Sequence, residues 1–254
     1  MTHPEHELHP GARPTGAADE AQAAHAVQQM FNTIAPKYDL LNHLLSGGVD
    51  RWWWARASRS FREVLRQPES AVLDLCCGTG DMTLALYKHR PNTPQDVPML
   101  AADFSREMLA RGMVKFAGKK IQPLEADALH MPLESGSLDL VVSAFGFRNL
   151  ANYEEGLAEI FRVLRPGGQI GILDFNQPDG LLGAFYAFYF RHVLTRLGGL
   201  ISGDRGAYTY LPESVGRFPK PKRMVEMMQN AGFQQAGWTS YTFGIAGLYR
   251  ATKP

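Results

Sequence analysis

The stretch VLDLCCGTGD, residues 72–81, runs from a strand-like apolar segment into a cluster of Cys, Gly and Thr and closes on an acid. In an open α/β sheet, ligands bind beyond the carboxyl ends of the strands. Gly78 and Gly80 then let the backbone approach a ligand with no Cβ between them, and the helix that follows offers free N–H groups. A dinucleotide fingerprint requires G-x-G-x-x-G. Here Thr83 stands where the third glycine belongs, and Asp81 would repel a pyrophosphate. The loop therefore suits a cationic ligand without phosphate, with Asp74 and Asp81 supplying negative charge. The same two features count against a nicotinamide-dependent oxidoreductase.

Working outward, strand-like and helix-like patterns alternate from Ala71 onward. Strands are expected at 71–76, 98–105, 121–127, 138–146 and 168–175, and helices at 79–89, 106–119 and 152–166. In the last helix Leu157, Ile160, Phe161 and Leu164 fall on one face, and Pro166-Gly167-Gly168 is expected to end it. Such alternation implies right-handed crossovers and a parallel sheet. The chain closes differently, with two strand patterns meeting at Gly244–Gly247 as a hairpin, which places one antiparallel strand in the sheet. The expected organisation is a disordered polar tail over 1–24 and one domain over 25–254. Within it, 25–70 forms a helical cap, 71–175 the core, 176–230 a helical insertion and 231–254 the hairpin. Cap and insertion are both expected to cover the open edge of the sheet.

Further acids sit at successive strand ends. Asp103 closes the second strand, where a carboxylate can accept hydrogen bonds from both hydroxyls of a ribose. Asp127 and Ala128 follow the third strand and offer an acceptor and an N–H to an adenine edge. Ser143 lies at the end of the fourth strand, close to the same pocket. A single acid after a strand is often a helix cap, but the loop, Asp103 and the Asp-Ala pair together point to a nucleoside-type ligand.

Composition bounds the rest. The 254 residues are 45% hydrophobic and 20% charged with a net charge of +1, which gives no pull towards nucleic acid. The only cysteines, Cys76 and Cys77, are adjacent; they lack disulfide geometry and zinc spacing and read as small reduced residues of a cytoplasmic protein. His3, His6 and His9 in the tail are read as solvated, so no metal is expected. No secretory signal is visible, and no stretch has the 20 or so apolar residues that span a bilayer. The densest, Leu181 to Phe190, stops at Arg191.

The loop, the LRPGG segment at 164–168 and the final hairpin resemble the S-adenosylmethionine-dependent methyltransferases built on a seven-stranded, Rossmann-like, mostly parallel α/β sheet. A narrower resemblance covers nearly the whole ordered chain. MFNTIAPKYDLLNHLLSGGVDRWWW (30–54), AFGFRNL (144–150) and YTYLPESVGRFP (208–219) are similar to segments of the ubiquinone/menaquinone biosynthesis C-methyltransferases. Two departures are Cys76-Cys77, where other small residues are usual, and Trp54, where a basic residue is common. By position, the resemblance implies cofactor contacts at Thr79, Asp103, Asp127, Ala128 and Ser143.

The implied reaction carries a methyl group from S-adenosyl-L-methionine to a ring carbon of a prenylated quinol, with demethylmenaquinol favoured and the benzoquinol of the ubiquinone route, or both, as the alternative. A cofactor-binding scaffold without turnover is the non-enzymatic alternative. Arg148 is expected to stabilise a developing phenolate or order a water, and Asn149 to orient the same group; an arginine is too weak an acid to serve as the base. The competing reading of Arg148 is a salt bridge to an acid. Tyr38, with Asp39, is expected to close over the ring. The prenylated substrate makes the 183–199 segment a candidate lining of a channel for its tail or, with Trp52, Trp53 and Trp54, a candidate contact with the inner membrane surface. Packing on the sheet or in a homodimer interface is the alternative.

Overall fold

The computed structural model describes residues 11–37, 48–91, 93, 97–178 and 205–254. Seven strands, β1 (Val72–Leu75), β2 (Met99–Asp103), β3 (Ile121–Glu125), β4 (Leu138–Ala144), β5 (Leu164–Phe175), β6 (Gln234–Tyr241) and β7 (Ala246–Thr252), form one sheet in the order β3-β2-β1-β4-β5-β7-β6. β1 is flanked in parallel by β2 and β4, with Leu73 opposite both Leu100 and Val141. β7 alone runs antiparallel, between β5 and β6. The chain thus builds outward from β1 on one side and then returns to build outward from β4 on the other. The loops after β1 and β4 diverge at that reversal and leave a crevice.

Eight helices are described, α1 (Glu20–Ile34), α2 (Val49–Arg59), α3 (Arg62–Leu65), α4 (Asp81–Tyr87), α5 (Arg106–Phe116), α6 (Tyr153–Val163), α7 (Arg205–Arg217) and α8 (Pro221–Asn230). Alternate residues of the central strands feed two cores. Leu73, Leu75, Val141 and Ile172 pack with Leu157 and Ile160 of α6 and with Met224, Met227 and Met228 of α8. Val72, Leu140 and Val142 pack on the other face with Trp53 and Ala57 of α2, Leu86 of α4 and Leu109 of α5. Covered on both sides, β1 is buried at every position, which is why apolar residues point to both of its faces and only Asp74 interrupts them. α6 shows how the ends are set. Asn152 caps it by accepting from the Glu155 N–H at 3.1 Å, and Glu154 and Glu155 favour its positive end. Ile160 is wholly buried, so its truncation to Ala costs about 2–5 kcal/mol.

Four boundaries differ from the sequence expectation. The helix expected to run to Pro166-Gly167-Gly168 ends at Val163, and the three residues lie inside β5. Leu138 pairs with Leu164 and Leu140 with Gln169, so one residue of β4 faces four of β5. Pro166 has no N–H to continue a helix and holds its predecessor extended; Gly167, at φ 81, turns the bulge and donates to the Lys253 carbonyl. The final turn lies at Thr242–Ile245, and Gly247 is already in β7, paired with Asp174 and Ser240. α1 begins at Glu20, inside the segment read as tail, capped by Asp19 accepting from the Gln22 N–H at 2.7 Å. Ahead of it, the Ala12 N–H donates to the Leu150 carbonyl at 2.7 Å and Arg13 Nη1 to the Ala151 carbonyl at 2.6 Å. α8, assigned by sequence to the insertion, packs on β6 and α6 instead and belongs to the layer covering the sheet. Residues 181–190 lie outside the described residues. Among those described, no helix is long and apolar enough to cross a membrane.

Candidate active site

A cavity of roughly 1000 Å³, counting space open to solvent, lies over the carboxyl ends of β1, β2 and β4. Asp74, Gly78, Thr79, Asp103, Asp127, Ala128 and Asn149 line it; Gly80, Ser143 and Arg148 do not. Tyr38 and Asp39 lie outside the described residues.

Asp74 is fully buried at the end of β1 and accepts a 2.5 Å hydrogen bond from Thr83 Oγ1 on its Oδ2. Its Oδ1 has no hydrogen-bond partner. Burial, reinforced by the charges of Asp103 and Asp81, pushes its carboxyl up to about 7 against the opposing Thr83 bond. A buried, under-satisfied carboxylate beside a cavity calls for a cation or a donor. Asp103 accepts from the Gly78 N–H on Oδ2 and from the Ser105 N–H on Oδ1, both at 2.8 Å. Those bonds fix the carboxylate and leave each oxygen a further lone pair for a ligand. Burial pushes it up to about 6. Asp127 accepts from the Leu129 N–H at 2.9 Å, which turns the chain after β3 and presents Ala128 to the cavity.

The glycine loop departs from expectation at two points. Gly80, at φ 87, faces away from the cavity, and a Cβ there would meet the Phe116 ring at 2.3 Å; it seats α5 against the loop. Asp81 is paired with Lys115 at 3.1 Å, and the same ammonium donates to Thr79 Oγ1 at 3.1 Å. Asp81 does line the cavity, with its charge offset by Lys115, beside the carboxylates of Asp74 and Asp103.

At the end of β4, Ser143 is buried under the loop with its hydroxyl turned towards Cys76 and Gly146. A Cβ on Gly146 would meet Cys76 Cβ at 2.3 Å, so the loops after β1 and β4 touch at a point where only hydrogen fits. Both loops are turned by non-glycine residues in the left-handed region, Cys76 at φ 57 and Phe145 at φ 58. Such outliers cost energy and concentrate at ligand sites. Burial raises the Cys76 thiol well above its ordinary value, which keeps it protonated and unreactive.

Arg148 follows in a 3-10 turn, Phe147–Asn149. Its Nη1 pairs with Asp174 Oδ1 at 2.9 Å and donates to the Phe145 carbonyl, and its N–H donates to Asp174 Oδ2 at 3.1 Å. Its guanidinium also lies 5.3 Å from the centre of the Phe175 ring. Instead of facing the cavity as expected, Arg148 makes the salt bridge of the competing reading, because Asp174 in the core requires a partner. Asn149 does reach the cavity. Its Oδ1 accepts from Tyr210 Oη at 3.1 Å and its Nδ2 donates to the Phe145 carbonyl at 3.4 Å. Burial pushes the Tyr210 phenol up to about 12, so it stays a donor.

The sequence placed a helical cap over the open edge of the sheet but did not identify its cavity-lining residues. Ala24 and Phe31 of α1 and Trp54 of α2 line the cavity. Gln28 Nε2 donates to the Phe104 carbonyl at 2.7 Å, and Asn32 Oδ1 accepts from Ser105 Oγ at 2.6 Å. These bonds latch α1 onto the loop that follows Asp103. The Met30–Trp54 segment contains Phe31 and Trp54, but nothing in its pattern assigned either to the pocket.

Residues 17–253 match the sequence model of the ubiE/COQ5 methyltransferase family. The chain is 46% identical to a demethylmenaquinone methyltransferase of Deinococcus radiodurans, covering 92% of this chain and 95% of that one. It is 45% identical to the protein of the same name in Thermus thermophilus, over 89% and 100%. To the ubiquinone/menaquinone biosynthesis C-methyltransferase UbiE of Geobacter sulfurreducens it is 40% identical, over 89% and 88%. Among solved structures, an S-adenosylmethionine-dependent methyltransferase of Thermotoga maritima, titled a possible histamine N-methyltransferase, superposes with a TM-score of 0.63 at 16% identity, over 90% of this chain and 100% of that one. A Haemonchus contortus phosphoethanolamine N-methyltransferase in complex with phosphomonomethylethanolamine and S-adenosylhomocysteine has a TM-score of 0.56 at 13% identity, over 84% and 58%. The fold is the Rossmann-like α/β fold of class I S-adenosylmethionine-dependent methyltransferases.

Proposed function

The chain belongs to the ubiE/COQ5 methyltransferase family, and from that membership we propose that it transfers a methyl group from S-adenosylmethionine to a ring carbon of a prenylated quinol, converting demethylmenaquinol to menaquinol. The observation that carries this reading is the identity of 46% and 45%, over nearly the whole chain, to two proteins named demethylmenaquinone methyltransferase. S-adenosylmethionine supplies a methyl group on a sulfonium, which leaves as a neutral thioether when the carbon–sulfur bond breaks and the carbon–carbon bond forms.

The residues of the cavity fit that cofactor. Asp103, held by two backbone N–H groups, accepts from ribose hydroxyls. Asp74 places a carboxylate with an unpaired oxygen where a cation neutralises it. Asp127 and the Ala128 N–H take the polar edge of an adenine between Phe104, Met108 and Leu129. Thr79 and Gly78 line the same end, with Thr79 fixed by Lys115. Phe31, Trp54 and Phe145 cover the cavity and exclude water, which favours displacement over hydrolysis. On the acceptor side, loss of a phenolic proton from the quinol raises the electron density of the adjacent ring carbon, and the proton on that carbon leaves after attack. Asn149 is the cavity residue placed to hold a quinol oxygen or a water, and its orientation is set by Tyr210. Arg148 is a positioning residue, acting through the Phe145 carbonyl and Asp174. Tyr38 remains a candidate to close over the ring. The two free cysteines support a reducing, cytoplasmic setting.

The test is an anaerobic assay with methyl-labelled S-adenosylmethionine, offering reduced demethylmenaquinone and the benzoquinol precursor side by side. The expected label appears in the methylated naphthoquinol. Label in the benzoquinol alone would overturn the assignment.

A further inference from the structure

Val49, Trp52, Arg56 and Arg59 fall at i, i+3, i+7 and i+10 of α2 and so share one helical face. All four are exposed, Trp52 at 46% and Val49 at 37%. The β6–β7 turn lies beside this stripe. Trp52 meets Tyr241 edge-on with centroids 5.7 Å apart, and the Arg56 guanidinium lies within 5.2 Å of both ring centres. Trp53 Nε1 donates to Thr242 Oγ1 at 2.8 Å, tying helix to turn. At the tip stands Phe243, 84% exposed. Thr242 and Phe243 sit at φ 46 and φ 56, a left-handed conformation unfavourable for residues with a Cβ. A strained turn that holds a phenyl ring in water points to a partner that takes up the ring.

The charge around these rings is mainly positive. Residues 48–66 carry Arg51, Arg56, Arg59, Arg62 and Arg66 against Asp50 and Glu63, and Asp50 is buried. The three consecutive tryptophans point in three directions, as successive helical residues must. Trp52 faces solvent, Trp53 is buried in the core, and Trp54 lines the cavity. One helix therefore joins this surface to the site.

We infer that the stripe of α2 and the β6–β7 turn dock on an anionic bilayer surface, with Trp52 and Phe243 entering the headgroup boundary and the arginines meeting lipid phosphates. Exposed aromatics ringed by cations match an interface of apolar depth and negative charge. The inference rests on the proposed function for its purpose, since a prenylated acceptor resides in the bilayer. A second copy of the chain fits less well, because an isologous contact through this face would bring its arginines against one another.

The test is co-sedimentation of the full chain with vesicles of phosphatidylcholine alone or mixed with phosphatidylglycerol. Binding is expected to the mixed vesicles and to weaken as salt is raised. Phe243→Ser is expected to weaken partitioning about tenfold, and Arg51→Glu with Arg59→Glu by about tenfold or more. Both variants should methylate a short-tailed, water-dispersed acceptor at the wild-type rate and lose activity on an acceptor held in vesicles. Equal binding of the wild type to both vesicles, binding to neither, or variants that sediment like the wild type would overturn the inference. So would a concentration-dependent dimer that Phe243→Ser abolishes. The sedimentation arm measures no turnover, so it stands or falls independently of the proposed reaction.

Discussion

Arg148 and Asp174 meet at 2.9 Å with Asp174 wholly out of water and Arg148 nearly so. Removing one member of such a pair leaves the other charge buried. Arg148→Ala is therefore expected to cost about 3–5 kcal/mol in urea unfolding, with activity lost in proportion to folding. Full stability with a collapsed turnover would instead place Arg148 on the acceptor. Asp74 makes a different prediction. Its carboxyl, ordinarily at 3.8, is pushed to about 7 by burial, and that of Asp103 to about 6. A pKa raised by folding means the folded state binds the proton more tightly. The stability this provides is complete below about pH 4 and is lost as pH rises to about 7. The melting temperature of the ligand-free protein is expected to fall between about pH 5 and about pH 8, and binding of a cationic ligand to tighten over the same window. Asp74→Asn, which keeps an acceptor for Thr83, should make both profiles shallower and leave the contribution of Asp103; unchanged profiles would show that Asp74 does not titrate there. At this scale the strand-end pattern of the sequence brought Asp103 and Asp127 to the cavity. It misled at Arg148, because the partner, Asp174, lies 26 positions away at the end of another strand.

The elements that frame the cavity depend on close approach. Gly146 and Cys76 bring the loops after β4 and β1 into contact where a Cβ would stand 2.3 Å from its neighbour. Gly146→Ala must push these loops apart. It is expected to cost about 1–3 kcal/mol and to weaken cofactor binding measured by calorimetry, with the sheet intact by circular dichroism. Wild-type affinity would show that the contact does not set the cavity. The strands were legible because both faces of the sheet are covered, which writes each central strand as an apolar run. The start of α1 was not, since the chain ahead of it docks through the Ala12 N–H and the Arg13 guanidinium on the 150–151 carbonyls, and carbonyls leave no trace in composition. The Pro-Gly-Gly at 166–168 misled for a related reason: the same residues that stop a helix also turn a bulge within a strand.

Across the whole molecule, the strand order β3-β2-β1-β4-β5-β7-β6 puts the reversal beside β1, and the loop of residues 76–80 opens onto the crevice there. Alternating patterns foretold that parallel topology, and the closing hairpin foretold the antiparallel β7. The helical cap over the crevice was expected as well, but not which of its residues reach the cavity, because its helices lie outside the alternating unit and carry no strand-end position to read. The central claim is that this arrangement methylates carbon. The most direct test is a single turnover under anaerobic conditions with S-adenosylmethionine carrying a carbon-13 methyl and reduced demethylmenaquinone, the product being read by NMR. The account predicts one labelled methyl bonded to a ring carbon of the naphthoquinol. Label on a quinol oxygen, or none despite bound cofactor, would contradict it.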